Sequence, residues 1–223
     1  MHSDSATVEI TQPRLFTLAA VLTVNAYGLL LVVPLFASIL AVSLIQFGIL
    51  TLLLPFLVVA GTAYCLPFGL GNTHITRLVR KFKPGADRAH DGFIVQLTLS
   101  PRIRSGLRAV LEDADDIGCL TFSERGLVYE GDSVKLVIPY LCIEQVRPQN
   151  IGLRGAFVYG RRIKLAVSGL PDIAALELAE RSSWLLPASR RITRELCERL
   201  ICAAGERQRS TNVGPAAQPA DTR

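Results

Sequence analysis

The sequence predicts a membrane protein of the α+β class, in which a two-helix transmembrane hairpin precedes a small antiparallel β-barrel or sandwich with a C-terminal helix. Two observations lead to this prediction. The 223-residue chain has no Asp, Glu, Lys or Arg between Arg14 and Arg77. After that uncharged run, short segments of alternating apolar residues separated by turn residues are typical of antiparallel strands.

The uncharged run is too long for one membrane crossing. From Leu15 to Leu70 it would form a helix of roughly 84 Å, at about 1.5 Å per residue. The hydrocarbon core of a bilayer is about 30 Å thick and needs about 20 residues. The length therefore predicts two spans, at about 15–40 and 45–69. The alternative is a buried hairpin in a large core, but the rest of the chain is too small to enclose it.

The charges that flank the run predict an orientation. Four basic residues, Arg77, Arg80, Lys81 and Lys83, follow the second predicted span, whereas the predicted turn at 41–48 has no charge. The positive-inside rule then predicts a multi-pass protein of the inner (plasma) membrane with both termini in the cytoplasm. The five cysteines include no C-x-x-C pair, which favours reduced thiols over a disulfide framework or a metal site.

The remaining chain divides by composition into four segments. Residues 1–14 are expected to be a flexible tail, 71–92 a basic linker, 93–205 a folded domain, and 206–223 a disordered tail.

The folded segment begins with a strand that alternates from Phe93 to Leu99. Ser100 and Pro101 resemble the N-cap and first residue of a helix at 101–113. The acidic cluster that follows is expected to be a solvated charge run rather than a Mg²⁺ or Ca²⁺ site, because it lacks the spaced ligands of a calcium loop. This cluster consists of Glu112, Asp113, Asp115 and Asp116.

Short strands and one helix fill the rest of this segment. The predicted strands are 118–123, 126–130, 133–138, 142–147, 155–160, 161–168 and 174–181. Ser189 is a candidate N-cap for the last helix, and Gly205 a candidate C-terminal stop. Trp184 is expected to pack into the mouth of the barrel.

The order of several short strands followed by one amphipathic helix resembles the pleckstrin-homology (PH)-like superfamily, in particular bacterial PH-like and GRAM-like domains. The resemblance covers about residues 118–205, and a two-span hairpin beside such a domain is a familiar bacterial arrangement. It implies a fold and no catalytic set or ligand. The residues that carry it are Leu120, Thr121, Leu127, Ile138, Pro139, Ile143 and Val146.

The sequence contains no motif for catalysis, a cofactor or a metal. There is no Walker or dinucleotide-type glycine loop and no G-x-S-x-G. The three histidines, His2, His74 and His90, lie in predicted tails and linkers, and a Ser-His-Asp or Cys-His set would have to use one of them. The sequence therefore predicts a protein that is not an enzyme.

Basic residues are the candidates for binding. The formal charge is +5, and the bias near the predicted membrane favours anionic lipid headgroups over nucleic acid. The alternative is that these residues form a solvated basic face. The predicted headgroup-contacting residues are Arg77, Arg80, Lys81, Lys83, Arg161, Arg162 and Lys164.

These observations predict a non-enzymatic, membrane-anchored interaction module at the cytoplasmic face, which binds a protein partner or lipid headgroups. The expected partners are membrane lipids and a protein partner or further copies of the chain, with no nucleic acid. The alternative function is an accessory or scaffold subunit of a larger membrane complex, such as a transporter or envelope enzyme.

Overall fold

A computed structural model describes residues 5–29, 36–37, 40, 69–84, 92–106, 114–149 and 161–212. In this part of the chain, eight strands form one antiparallel sheet that curls into a half-barrel, and three helices pack on it. In chain order, the elements are β1 (Thr7–Ile10), α1 (Leu18–Leu29), α2 (69–82), β2 (Gly92–Ser100), β3 (Asp116–Phe122), β4 (Gly126–Gly131), β5 (Val134–Pro139), a 3₁₀ turn (Tyr140–Cys142), β6 (Ile143–Gln149), β7 (Arg162–Val167), β8 (Ala175–Glu180) and α3 (Leu186–Asn212).

Two meanders make up the sheet. Its strand order is β1-β5-β4-β3-β2-β8-β7-β6. The meander from β2 to β5 and the meander from β6 to β8 meet where β2 pairs with β8. Leu97 on β2 accordingly faces Asp116 on β3 and Leu178 on β8. The strand at 92–100 is therefore an inner strand of the sheet, although it lies outside the segment that carries the family resemblance.

One face of the sheet encloses the larger hydrophobic cluster, here called the inner core. Alternate residues of β2, including Val95, Leu97 and Leu99, point into it because side chains of a strand alternate between faces. The helix α3 covers this core with Leu196 and Leu200, both fully buried.

The opposite face of the sheet carries a second cluster, here called the outer cluster. It is formed by Phe16, Ala20, Val21, Ile75, Leu78, Val79, Ile94, Ala114, Ile117 and Cys119. The helices α1 and α2 supply half of these residues and cover β2 and β3, so that Ile94 and Gln96 of β2 are buried as well. β2 is thus buried on both faces.

The prediction of a transmembrane hairpin is wrong. Within the described residues, no helix is both long enough and apolar enough to cross a membrane. Helix α1 has 12 residues, about 18 Å at 1.5 Å per residue, and it buries apolar side chains against the sheet. The predicted multi-pass membrane localisation is wrong for the same reason. Most of the predicted second span, 45–69, lies outside the described residues.

The two ends of the uncharged run pack on the sheet and do not form the predicted membrane spans, and the reason is physical. Apolar side chains such as Phe16 and Ile75 are buried against Ile94 and Ile117 of the sheet. An apolar helix can be buried in lipid or against protein, and hydropathy alone does not separate the two. The sheet supplies an apolar surface that was not apparent from the sequence.

Three of the predicted segment boundaries fall in the described part of the chain and differ from the structure. Residues 7–10 of the predicted N-terminal tail form β1, which pairs with β5. Residues 71–82 of the predicted linker belong to α2. The last helix continues past Gly205 to Asn212, and residues 213–223 lie outside the described part.

The predicted strands are confirmed wherever the structure describes them. β3 to β8 match six of the predicted segments, and 155–160 lies outside the described residues. The predicted helix at 101–113 is wrong over 101–106, which are not helical. Ser100 pairs with Ala175 and remains extended, so it does not start a helix. Residues 107–113 are outside the described part.

Candidate functional site

Helix α2 presents three of the predicted basic residues on one exposed face. Arg77, Arg80 and Lys81 are all exposed, and their spacing of three and four residues places them side by side on a helix. On the opposite side, Ile75 and Val79 are fully buried in the outer cluster. The apolar side thus fixes the orientation of the basic face.

The fourth residue of this group, Lys83, is already engaged. It is half-buried and forms an ion pair with Glu130 at the end of β4. Its charge is therefore partly neutralised by Glu130.

The second predicted group, on β7, does not form a comparable surface. Arg162 is buried, and its Nη1 lies 3.2 Å from Oε2 of Glu177. Lys164 is exposed but stands directly opposite the same Glu177 in the β7–β8 register. At the surface this leaves Lys164, opposite a carboxylate, and Arg161, which precedes β7.

The positive charge of α2 also affects a histidine on the same helix. Burial lowers the pKa of His74, and the charges of Arg77 and Lys81 lower it further. His74 is therefore neutral at pH 7. Its ring stands edge-on to Tyr27 of α1, with 6.2 Å between the ring centroids, so it belongs to the packing of the two helices.

The acidic residues next to β3 are buried, so the prediction of a solvated charge run is wrong for Asp115 and Asp116. Each carboxylate accepts hydrogen bonds from backbone N–H groups. Asp115 Oδ2 accepts from Leu99 N–H at 2.8 Å. Asp116 Oδ2 accepts from Val134 N–H at 2.8 Å and from Ser133 N–H at 3.1 Å. These groups close the turns at one end of the sheet.

A third carboxylate, which was not predicted from the sequence, ties the N-terminal segment to this end. Asp132 Oδ2 accepts from the N–H groups of Arg14, Leu15 and Phe16 at 2.8–2.9 Å. The only sequence signal was its place in the Gly131-Asp132-Ser133 turn, where Asp commonly bonds to backbone.

Two guanidinium groups lie at this acidic cluster. Arg102 Nε is 3.9 Å from Asp115 Oδ1. Arg104 Nη2 donates to Ser133 Oγ at 2.7 Å. Burial lowers the pKa of Arg104, while the charges of Asp116, Asp115 and Asp132 oppose that shift. Gly131 lies so close to Asp116 Oδ2 that a Cβ at this position would collide with it. The cluster is therefore a tightly packed, mutually neutralising structural unit.

A cavity of about 490 Å³ lies beside this cluster. Its lining includes three cationic side chains, Arg14, Lys83 and Lys135, and three anionic ones, Glu9, Glu130 and Asp132. Lys83 and Asp132 already have partners. The balanced charge gives the cavity no preference for an anionic ligand, in contrast to the face of α2.

A buried polar network fastens α2 to the sheet. Arg181 donates from Nε to Gln96 Oε1, and from Nη1 to Asn72 Oδ1 at 3.3 Å. Asn72 Nδ2 in turn donates to the carbonyl of Ser183 at 2.6 Å, and Thr76 Oγ1 donates to that of Arg181 at 3.1 Å. The connection from β8 to α3 is thereby joined to α2.

The described residues hold no group of three His, Cys, Asp or Glu side chains arranged to bind a metal ion. None of the described cysteines forms a disulfide: Cys119 and Cys197 are buried, Cys142 is half-buried and Cys202 is exposed. Burial raises the pKa of Cys197, which keeps it in the unreactive thiol form. Cys65 lies outside the described part.

No protein-family model and no curated protein matches the chain.

Proposed function

We propose that the protein is a non-enzymatic, PH-like binding module that attaches to an anionic phospholipid surface through the basic face of α2, formed by Arg77, Arg80 and Lys81. The observation that carries the proposal is that this face is exposed along a helix whose opposite face is anchored in the outer cluster.

The topology supports the PH-like part of the proposal. Two antiparallel meanders, β2 to β5 and β6 to β8, are followed by one long helix that packs on the inner core. This order agrees with the resemblance carried by Leu120, Leu127 and Ile138, which are buried side chains of the inner core.

Charge and preorganisation support the lipid part. Each basic residue near an anionic leaflet contributes about 1 kcal/mol of attraction. Because α2 holds its three cations at fixed spacing, little conformational entropy is lost when they meet several headgroups together. The β7 group, with Glu177 between its cations, is a weaker candidate.

The proposal is tested by binding of the full chain to vesicles of phosphatidylcholine, with and without phosphatidylserine. The variant Arg77→Gln/Arg80→Gln/Lys81→Gln removes about 3 kcal/mol of attraction. It is therefore expected to lower the partition coefficient for the anionic vesicles about 100-fold. Added salt is expected to weaken the wild-type protein in the same direction.

The matched control removes three positive charges elsewhere. Arg147→Gln/Arg191→Gln/Arg194→Gln changes exposed residues of β6 and α3 and is expected to lower binding less than fivefold. Equal losses in the two variants would contradict a specific role for α2. If the protein bound vesicles with and without phosphatidylserine equally well and also had a stoichiometric protein partner, the scaffold alternative would be favoured.

A further inference from the structure

The connection between β8 and α3 ends in an exposed apolar tip. Trp184 is 46 % exposed and Leu185 is 43 % exposed. Trp184 is the only tryptophan in the chain. Burying large aromatic surface is favourable, so two adjacent exposed residues of this size indicate a contact surface.

This tip is held rigidly. Ser183, the preceding residue, donates from its N–H to Glu180 Oε1 at 2.9 Å, and its carbonyl accepts from Asn72. The indole lies directly against Gly69 of α2, where an added Cβ would come within 2.5 Å of the ring. Backbone bonds and a close aromatic contact therefore fix Trp184 to α2 at Gly69.

The tip and Arg80 of the basic face lie on the same side of α2. Gly69, which Trp184 covers, and Arg80 are separated by 11 positions in the sequence. At 3.6 residues per turn this is about three turns, so both point in nearly the same direction, roughly 16 Å apart along the axis. By the same rotation of about 100° per residue, Arg77 lies about 80° and Lys81 about 120° around the axis from Gly69. A flat surface that touches α2 between these directions would therefore meet the indole at one end and Arg80 and Arg77 at the other, with Lys81 at its edge.

We infer that Trp184 and Leu185 insert into the interfacial layer of an anionic bilayer while Arg77, Arg80 and Lys81 lie among its headgroups. The inference rests on the proposed function and specifies how the module binds. The partner is identified by two features together, since a bilayer surface offers anionic phosphates beside an apolar interior. An indole, with an apolar body and a polar N–H, suits that boundary.

Because the chain has a single tryptophan, its emission reports directly on this tip. With vesicles of phosphatidylcholine and phosphatidylserine, the emission is expected to shift to shorter wavelength and to be quenched by brominated lipids. With pure phosphatidylcholine, little change is expected. The Arg77/Arg80/Lys81 triple Gln variant is expected to keep its emission in buffer and to lose the lipid-dependent shift.

A second variant leaves the probe in place. Leu185→Gln is expected to lower the anionic partition coefficient at least fivefold, whereas Leu141→Gln, at a residue that is 48 % exposed on the 3₁₀ turn, is expected to change it less than twofold. Equal effects would overturn the inference.

The failure of the inference is distinguishable from the failure of the proposed function. Charge-dependent vesicle binding with an unshifted and unquenched Trp184 would overturn the inference alone. Binding without any preference for anionic lipid would overturn both. A shift produced by a protein partner and not by vesicles would assign the tip to a protein interface, which also contradicts the inference.

Discussion

At the scale of single residues, Asp116 shows how a charge is used inside this fold. Its fully buried carboxylate connects the start of β3 to the β4–β5 turn by accepting N–H groups of Ser133 and Val134. Burial raises the pKa of Asp116 to about 6, although the backbone hydrogen bonds act in the opposite direction. Desolvation therefore outweighs the hydrogen bonds.

This raised pKa predicts a dependence of stability on pH. The pKa of Asp116 rises from an ordinary value of 3.8, which applies to the unfolded chain, to about 6 in the folded protein. Its contribution is therefore fully present below about pH 3.8 and is lost as the pH rises through about 6. The difference corresponds to about 3 kcal/mol. The free energy of unfolding, measured by urea denaturation from about pH 4 to 7, is expected to show this loss.

Asp116→Asn removes the titration and keeps a side-chain oxygen that can accept both N–H groups. The pH dependence between about 4 and 7 is expected to flatten in this variant. Asp172→Asn, at an exposed residue, serves as the control and is expected to retain the wild-type slope. An unchanged slope in Asp116→Asn would assign the pH dependence to another group.

For single residues, the sequence predicted which charged side chains of α2 face solvent, but it did not predict the buried contacts of individual side chains. The basic residues of α2 were identified from their charge alone, because a charged side chain favours solvent whatever the fold around it. The burial of Asp116 depends on Ser133, 17 positions away, and that contact exists only after the sheet has formed. Trp184 was expected in the barrel mouth, but it lies against Gly69 of α2.

At the scale of elements, α2 is attached to the sheet by two different interactions. Its apolar residues enter the outer cluster, and its polar residues Asn72 and Thr76 bond to the segment after β8. The alternating pattern predicted β2 to β8 because each strand reveals its own two faces. Helix α1 lies in a run that is apolar on all sides, and most of α2 lies in the predicted basic linker. Neither context revealed the face that contacts the sheet.

The polar attachment predicts a local effect of Asn72→Ala. The substitution removes the acceptor for Arg181 Nη1 and the donor to the Ser183 carbonyl, both buried. An unsatisfied buried group costs about 1–3 kcal/mol. At about 2 kcal/mol, amide hydrogen exchange in α2 is expected to be roughly 30-fold faster.

Thr73→Ala is a suitable control for this measurement. Thr73 lies next to Asn72, but its hydroxyl donates to the carbonyl of Gly69 within the same helix. Exchange in α2 is expected to change little in this variant. Similar acceleration in Thr73→Ala and Asn72→Ala would show that the network around Asn72 does not set the stability of α2, because neither substitution lowers helix propensity.

At the scale of the whole molecule, the strand segments could be predicted from the sequence, but the pairing between distant segments could not. The strand segments followed from local alternation. The pairing of β1 with β5 joins residues about 130 positions apart, and no local pattern encodes it. The same holds for Asp132, which fixes the backbone of Arg14 to Phe16 and so places α1 on the outer face.

The arrangement of two hydrophobic clusters on one sheet predicts a single cooperative unfolding transition. β2 contributes Leu97 to the inner core and Ile94 to the outer cluster, so loss of this strand exposes both. Unfolding of the full chain in urea is expected to give coincident curves for Trp184 emission, which reports on the contact with α2, and for far-ultraviolet circular dichroism, which reports on all elements.

Two substitutions in this shared strand test the coupling between the clusters. Leu97→Ala and Ile94→Ala each remove a buried side chain and are expected to lower the free energy of unfolding by about 2–5 kcal/mol. Because both clusters include β2, each substitution is expected to shift the two curves together. If Ile94→Ala shifted the Trp184 curve and left the circular dichroism curve in place, the helices α1 and α2 would unfold independently of the half-barrel. In that case the basic face of α2 would be able to detach from the sheet without unfolding the inner core.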